Sequence, residues 1–215
     1  MVFVLTYPNI QIQLPETFQR FDDSFVNAIP MYTMIAQRRV ARDFKILGTK
    51  IFVNYILTPN NPLLQKPDRW LNNASAVLLV NNPIFGDDTF NSQKELMECS
   101  ELWGNMYWPN ERLTYEPKYY ADLNYYQWKI FPTPDQAYPL RMGFFQFPLF
   151  IDDTDSTNFF TDLAPEVLWY AICLEMAIFI EDNPRIQLYQ QQYDQAKAAL
   201  TNEDKMRILD EFAVR

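Results

Sequence analysis

The chain has 215 residues with a formal net charge of −9; 48% are hydrophobic, and 17 Phe, 13 Tyr and 5 Trp make it rich in aromatic side chains. That length is enough for one domain with a substantial core, and the acidic balance argues against a general affinity for nucleic acid. With no histidine, two cysteines and four glycines, the sequence excludes His-dependent triads, Cys/His zinc sites, P-loops and dinucleotide-binding glycine motifs.

The N-terminal part predicts an arm that leads into a helix. Residues 1–20 are mixed in character and are expected to form the arm. Residues 22–46 predict a helix that breaks or restarts at Pro30. The helix is indicated by apolar side chains that recur every four residues after this proline. Gly48 is suited to ending this helix, as glycine commonly does at a helix C-terminus.

The same predicted helix has a basic face. Arg38, Arg42 and Lys45 are spaced i, i+4, i+7 and so share one side. The simplest interpretation is a solvated face, or pairing with carboxylates of the same chain. The functional alternatives are contact with an acidic neighbouring subunit or with DNA, so these three residues are candidate subunit-interface or channel residues.

The middle of the chain predicts β-structure, although residues 93–107 predict a short helix. Residues 50–57 and 75–80 combine β-branched and aromatic side chains, which is typical of strands. The clearest pattern is a hairpin in which strands 125–131 and 138–147 flank a turn with two prolines. Apolar residues alternate along both arms. Residues 118–122 are expected to add a third strand.

The stretch Pro165 to Ile180 is the most informative segment, because only Glu166 and Glu175 in it are strongly polar. A helix that is apolar on every face has to be covered on every face. A core helix within one subunit satisfies this requirement. A helix that packs partly on its own core and partly on a neighbouring subunit also satisfies it, and the amphipathic tail that follows favours this second interpretation.

Two further helices are predicted at the C-terminus. Asn183-Pro184 is a typical helix start, and the helix after it has an apolar stripe of Ile186, Tyr189, Tyr193, Ala196 and Leu200. Residues 204–215 predict a short amphipathic helix. A helix of this length is marginal alone, so its apolar face is suited to a groove on another protein. That face consists of the candidate docking residues Met206, Leu209 and Phe212.

Strands grouped between helices predict an α+β protein. We expect helices at both ends packed around a central antiparallel β-sheet and hairpin block, with an amphipathic C-terminal tail helix. The expected divisions are an N-terminal arm (1–20), a core domain (21–200) with a β insert at about 50–147, and a C-terminal docking tail (201–215).

The sequence offers little for catalysis or metal binding. The segment that begins at Asp153 resembles the start of a calcium loop, but Asn158 and Ala164 stand where the loop requires glycine and glutamate. We therefore expect no metal, no cofactor and no enzymatic activity. A carboxylate-dependent hydrolase is the alternative, although no spacing singles out a pair of acids. The candidate acids are Glu98, Glu101 and the Asp152–Asp155 loop.

We also expect no membrane association. The longest apolar run, near 167–180, is interrupted by Glu175 and is shorter than the ~20 residues that span a bilayer. The start, Met1 to Leu5, is too short for the apolar region of a secretory signal. These features favour synthesis in the cytoplasm.

Several segments, in their order and spacing, are similar to the head-to-tail adaptor (connector) proteins of tailed bacteriophages, including the tubular tail protein A type. IPMYTMIAQRRVARDFKI (29–46) resembles the early helix of that family. The block 117–148, with Pro-Thr-Pro-Asp at its turn, resembles the family's β-hairpin. Residues 157–186 resemble its apolar helix and the restart after it, and residues 191–205 resemble its ending.

The resemblance implies a structural virion protein. Such adaptors form rings, usually of twelve subunits, beneath the portal; they extend the DNA channel and offer a platform for tail assembly. The implied partners are further copies of the chain, the portal protein and a tail tube or nozzle protein. DNA would pass during genome ejection without specific binding. The implied location is the neck of the virion, after synthesis in the host cytoplasm.

In related adaptors the C-terminal segment inserts between portal subunits. In this chain that role falls on 204–215, which includes Met206, Leu209 and Phe212. The alternative function is another neck or tail subunit, such as a tail terminator or a baseplate component.

Overall fold

The computed structural model describes residues 5–45, 47–80 and 92–212. By its internal contacts the chain divides into a helical unit, formed by Met1–Thr49 and Phe147–Arg215, and a β-rich unit, Lys50–Gln146. The mixed α+β class is confirmed. The packing of the end helices around the sheet block, and the three expected divisions of the chain, stay predictions.

The described residues contain six α-helices and ten strands. The helices are α1 (Tyr7–Phe18), α2 (Asp23–Asp43), α3 (Glu101–Tyr107), α4 (Phe159–Leu163), α5 (Pro165–Phe179) and α6 (Asn183–Phe212), with a 3₁₀ turn at Leu47–Thr49. The strands are β1 (Lys50–Ile56), β2 (Leu63–Gln65), β3 (Trp70–Val80), β4 (Ser92–Glu95), β5 (Met97–Cys99), β6 (Thr114–Tyr115), β7 (Tyr119–Asp122), β8 (Gln127–Phe131), β9 (Thr133–Pro134) and β10 (Pro139–Gln146).

The first two helices differ from the sequence prediction. The stretch expected to be an arm contains α1, whose Ile10 and Leu14 are buried in the helical core. α2 runs through Pro30 without a break, because this proline is exposed and the carbonyl that loses its partner can be hydrated. Gly48 does not end α2, which stops at Asp43. It lies instead against the ring of Phe159, where a Cβ would come within 2.0 Å of that ring.

α5 is the central helix of the helical unit. It packs against α2, α4 and α6. The seven consecutive residues from Ala171 to Ala177 are all buried, and seven residues make about two turns, so every face of this stretch is covered. The cover comes from the same chain. The preferred interpretation, in which a neighbouring subunit covers one side, is therefore wrong for this part of the helix.

α6 carries its predicted apolar stripe. All five of its residues pack in or against the helical core: Ile186, Tyr189, Tyr193, Ala196 and Leu200. The predicted separate helix at 204–215 is wrong, because α6 continues through Thr201 to Phe212 as one helix of 30 residues. At 1.5 Å per residue this helix is about 45 Å long. Thr201 lies inside this helix, and its hydroxyl donates to the carbonyl of Lys197.

The described residues of the β-rich unit form two four-stranded sheets and one short strand pair. The first sheet has the order β1-β10-β3-β4 and is antiparallel throughout. The second has the order β2-β8-β7-β5 and is antiparallel except between β5 and β7. β6 and β9 form a parallel pair. Side chains of both large sheets share one apolar core, which includes Trp128, Ile130, Leu140, Met142 and Phe144.

The predicted hairpin is wrong, although both of its strands exist. β8 belongs to the second sheet and β10 to the first. The proline-rich turn between them forms β9, and its prolines have no N–H to donate across a hairpin ladder. The real hairpin is β7–β8, which includes the predicted third strand. Its turn is held by the Asn124 side chain, which accepts hydrogen bonds from the backbone N–H groups of Tyr126 and Gln127.

The predicted helix at 93–107 is also wrong over its first half, which forms β4 and β5. α3 begins only after Ser100, whose hydroxyl accepts a hydrogen bond from the N–H of Trp103 at 3.2 Å. Serine is a favoured N-cap residue, and Leu96 before it is buried in the sheet core. The cap therefore separates a strand segment from a short helix.

Candidate interaction surfaces

The basic face lies at the C-terminal end of α2. Arg38 and Arg42 are on the helix, and Lys45 follows two residues after its end. All three side chains are exposed, and none of them forms an ion pair within the described part of the chain. The guanidinium carbon of Arg38 lies 6.0 Å from the centre of the Phe150 ring. The face therefore presents three cationic groups to solvent or to a partner.

The neighbouring charged residues of α2 are paired inside the unit. Arg39 Nη2 lies 2.8 Å from Glu175 Oε1, and the Glu175 side chain is only 7% exposed. Burial raises the pKa of Glu175, while the charge of Arg39 acts in the opposite direction. Asp43 accepts hydrogen bonds from the Tyr193 hydroxyl and from Lys197 Nζ, both at 2.8 Å. Burial and then Asp43 raise the pKa of Tyr193.

The charged residues at this end of α2 thus fall into two sets. Arg39 and Asp43 have ionic partners, whereas Arg38 and Arg42 form no ion pair within the described residues. Arg39 and Asp43 are directed toward α5 and α6, so they connect α2 to the rest of the unit. The residues one position away along the helix point outward. A shallow depression of about 450 Å³ lies between the two sets, and its lining includes Arg38, Arg42 and Glu175.

The second surface is the end of α6. Leu200 and Glu203 line a groove of about 480 Å³ together with Leu163 and Val167, which flank the start of α5. Residues 204–212 extend past that point for roughly 14 Å of helix. Met206 is 67% exposed. The backbone of Leu209 and Phe212 is helical, but their side chains lie outside the described residues.

Two of the carboxylates considered for catalysis, Asp152 and Glu98, accept hydrogen bonds from neighbouring residues. Asp152 accepts hydrogen bonds from the N–H groups of Thr154 and Asp155, at 2.7 and 2.9 Å, and these bonds lower the pKa of Asp152. Glu98, in the β-rich unit, accepts from the Asn73 amide at 3.0 Å and from the Tyr120 hydroxyl at 3.3 Å. Asp152 thus stabilises a turn, and Glu98 is bonded to neighbouring strands of the β-rich unit.

Within the ranges that the structure describes, no group of three or more His, Cys, Asp or Glu side chains is suited to holding a metal ion. The helices of those same ranges include none that is long and apolar enough to cross a membrane.

The sequence did not reveal the exposed edge of the first sheet. β1 was predicted as a strand, but 56% of Phe52 and 73% of Ile56 are exposed. Both side chains lie on the same face as Asn54, since side chains two residues apart on a strand share a face. The polar Lys50 and Asn54, which alternate with the two apolar residues, were the sign that this face is not a core face.

A family model with the description SU10 adaptor protein matches residues 6–211, which is nearly the whole chain. No curated protein matches the sequence.

Proposed function

Because the chain belongs to the SU10 adaptor protein family, we propose that it forms a ring beneath the portal of a bacteriophage, extends the DNA channel and provides the platform for tail assembly. Membership makes the chain a head-to-tail adaptor and a structural component of the virion. The observation that carries the proposal is the extent of the match, which includes both the helical and the β-rich unit. We further propose the tubular tail protein A type.

The ring is proposed as a homo-oligomer of twelve copies. A closed ring needs a contact in which two different surfaces of the subunit meet. The basic face of Arg38, Arg42 and Lys45 is one such surface, because it is exposed and has no carboxylate partner within the described part of its own chain. In a chain with a net charge of −9, a neighbouring copy supplies abundant carboxylates for it.

The C-terminal end of α6 is the proposed portal contact. A helical end that extends beyond its own unit gains little stability there, whereas an amphipathic helix binds well in a groove. Met206, Leu209 and Phe212 repeat at a spacing of three and would lie along one side of this end. The other side of the ring would receive a tail tube or nozzle protein, and DNA would pass through the channel without specific binding during genome ejection. Synthesis would take place in the host cytoplasm.

The proposal is tested by mixing the purified chain with purified portal rings and imaging the mixture by electron microscopy. We expect an added ring on one end of the portal. A chain that stays monomeric and never joins the portal would contradict the proposal. A ring that assembles but attaches to a tail end would favour a tail terminator or baseplate component instead.

A further inference from the structure

The first sheet of the β-rich unit ends in an open strand edge. β1 pairs with β10 along its seven residues, and no strand of the described residues pairs with its other side. Apart from Lys50 at its start the strand is uncharged, and Phe52 and Ile56 are exposed. A long edge with exposed apolar side chains is the kind that pairs with a strand of another chain.

The register shows which backbone groups point to this edge. Leu57, just past β1, donates its N–H to the carbonyl of Tyr138 on the β10 side at 2.8 Å. Hydrogen-bonded and non-hydrogen-bonded pairs alternate along an antiparallel ladder, so the odd-numbered residues of β1 bond to β10. The N–H and C=O groups of Phe52, Asn54 and Ile56 therefore point outward.

The opposite edge of the same sheet is β4. Leu96, just past this strand, donates its N–H to the carbonyl of Ala76 in β3 at 2.8 Å. By the same alternation, the backbone groups of Gln93 and Glu95 point away from β3. Both of these side chains are exposed.

The two edges are complementary. The sheet has four strands, each antiparallel to its neighbours, so β1 and β4 run in opposite directions. The cross-strand row Asn54, Arg141, Val77 and Glu95 lies on one face, and both ends of the row have outward backbone groups. An edge strand of a second copy can therefore extend the row by one antiparallel, hydrogen-bonded residue pair. In the joined sheet the solvent-facing sides of the two copies lie on the same face.

We propose that β1 of one copy pairs with β4 of the next copy, so that the first sheets of neighbouring subunits join head to tail. The inference rests on the proposed ring. A contact that repeats around a ring joins two different surfaces of the subunit, and β1 and β4 are two different edges. Two β1 edges that paired with each other would close a dimer instead. In the joined sheet Asn54 lies opposite Glu95, and Ile56 lies opposite Gln93.

A proline substitution in β1 tests the contact. Asn54→Pro removes one outward N–H without removing a bond to β10, and proline is tolerated at such edge positions. Asn54→Ala is the matched control: both variants lose the 3.3 Å bond from Arg141 Nε to the Asn54 side chain, but alanine keeps the N–H. We expect both monomers to keep the wild-type circular dichroism spectrum.

We expect Asn54→Pro to weaken ring assembly at least about tenfold, measured by analytical ultracentrifugation, and Asn54→Ala to assemble like the wild type. Rings of Asn54→Pro that are as stable as those of Asn54→Ala would overturn the inference.

Disulfide cross-linking identifies the two edges. In a Cys99→Ser background, chains with Ile56→Cys are mixed with chains with Gln93→Cys under mild oxidation. Opposed residues of an antiparallel pair have Cα atoms about 4.5–5.5 Å apart, which a disulfide can bridge. We expect covalent dimers in the mixture and none with either variant alone.

The other outcomes separate the inference from the function on which it rests. Cross-links with Ile56→Cys alone would show a β1–β1 dimer and overturn the head-to-tail contact. Rings that are visible by electron microscopy but give no cross-link would overturn the contact and leave the adaptor ring intact. If the wild-type chain forms no ring even with portal present, the proposed function fails and the inference fails with it.

Discussion

The ion pair between Arg39 and Glu175 provides the sharpest test of how the helical unit is held together. Glu175 is 7% exposed and Arg39 is 35% exposed. Arg39→Met keeps most of the side-chain stem but leaves the buried carboxylate without a cation. Breaking a fully buried pair costs about 3–5 kcal/mol. Water reaches the Arg39 side of this pair, so we expect a loss of about 1–3 kcal/mol in the free energy of unfolding.

The double-mutant cycle separates the pair from other effects. Glu175→Gln removes the buried charge and leaves Arg39 free to turn to water, so we expect a change within about 1 kcal/mol. In that background Arg39→Met should cost much less than in the wild type. The assay is urea unfolding followed by tryptophan fluorescence. An equal cost of Arg39→Met in both backgrounds would refute the reasoning.

The pH dependence gives an independent check. Because burial raises the pKa of Glu175 in the folded chain, this group favours folding at low pH, and that contribution is lost as the pH rises above the unfolded value of about 4.3. Arg39 limits the loss. The deficit of Arg39→Met relative to the wild type should therefore be small near the unfolded pKa and larger at neutral pH. A deficit that is independent of pH would contradict this assignment.

Three further predictions follow from other contacts. Deleting residues 204–215 should leave the unfolding free energy within about 0.5 kcal/mol of the full chain but weaken portal binding in a pull-down; wild-type binding would contradict the docking role. Tyr193→Phe removes the hydroxyl that donates to Asp43 and should cost about 1–2 kcal/mol in urea unfolding, and an unchanged stability would show that the bond contributes nothing. Gly104→Ala places a Cβ 2.5 Å from the buried Phe131 ring and should cost about 1–3 kcal/mol, whereas a stabilised variant would show that the ring moves freely.

Local periodicity predicted the elements whose buried side chains recur at a regular spacing along the helix or strand. The stripe from Ile186 to Leu200 followed from a spacing of three and four residues, and all of it packs on the core. β1 and β3 were recognised from their composition. The largely apolar stretch that begins at Pro165 is covered over residues 171–177, as expected, whereas Ile178 is 42% exposed; the sequence did not show that the chain itself provides this cover.

The wrong hairpin and the missed edge concern strand partners that are distant in the sequence. β8 and β10 look like the two arms of a hairpin, yet each pairs with strands of a different sheet. Alternation assigns a face to each residue but does not choose the neighbouring strand. The open edge of β1 was missed for the same reason, because a sequence pattern does not show which side of a strand lacks a partner. The docking residues Leu209 and Phe212 stay predictions, since their side chains lie outside the described residues.

The most direct test of the adaptor role is cryo-electron microscopy of the neck of the phage particle that contains this chain. The account predicts a ring of identical subunits between portal and tail, with each α6 end against the portal. Density in which this chain is absent from the neck, or lies at a site that never touches the portal, would contradict it.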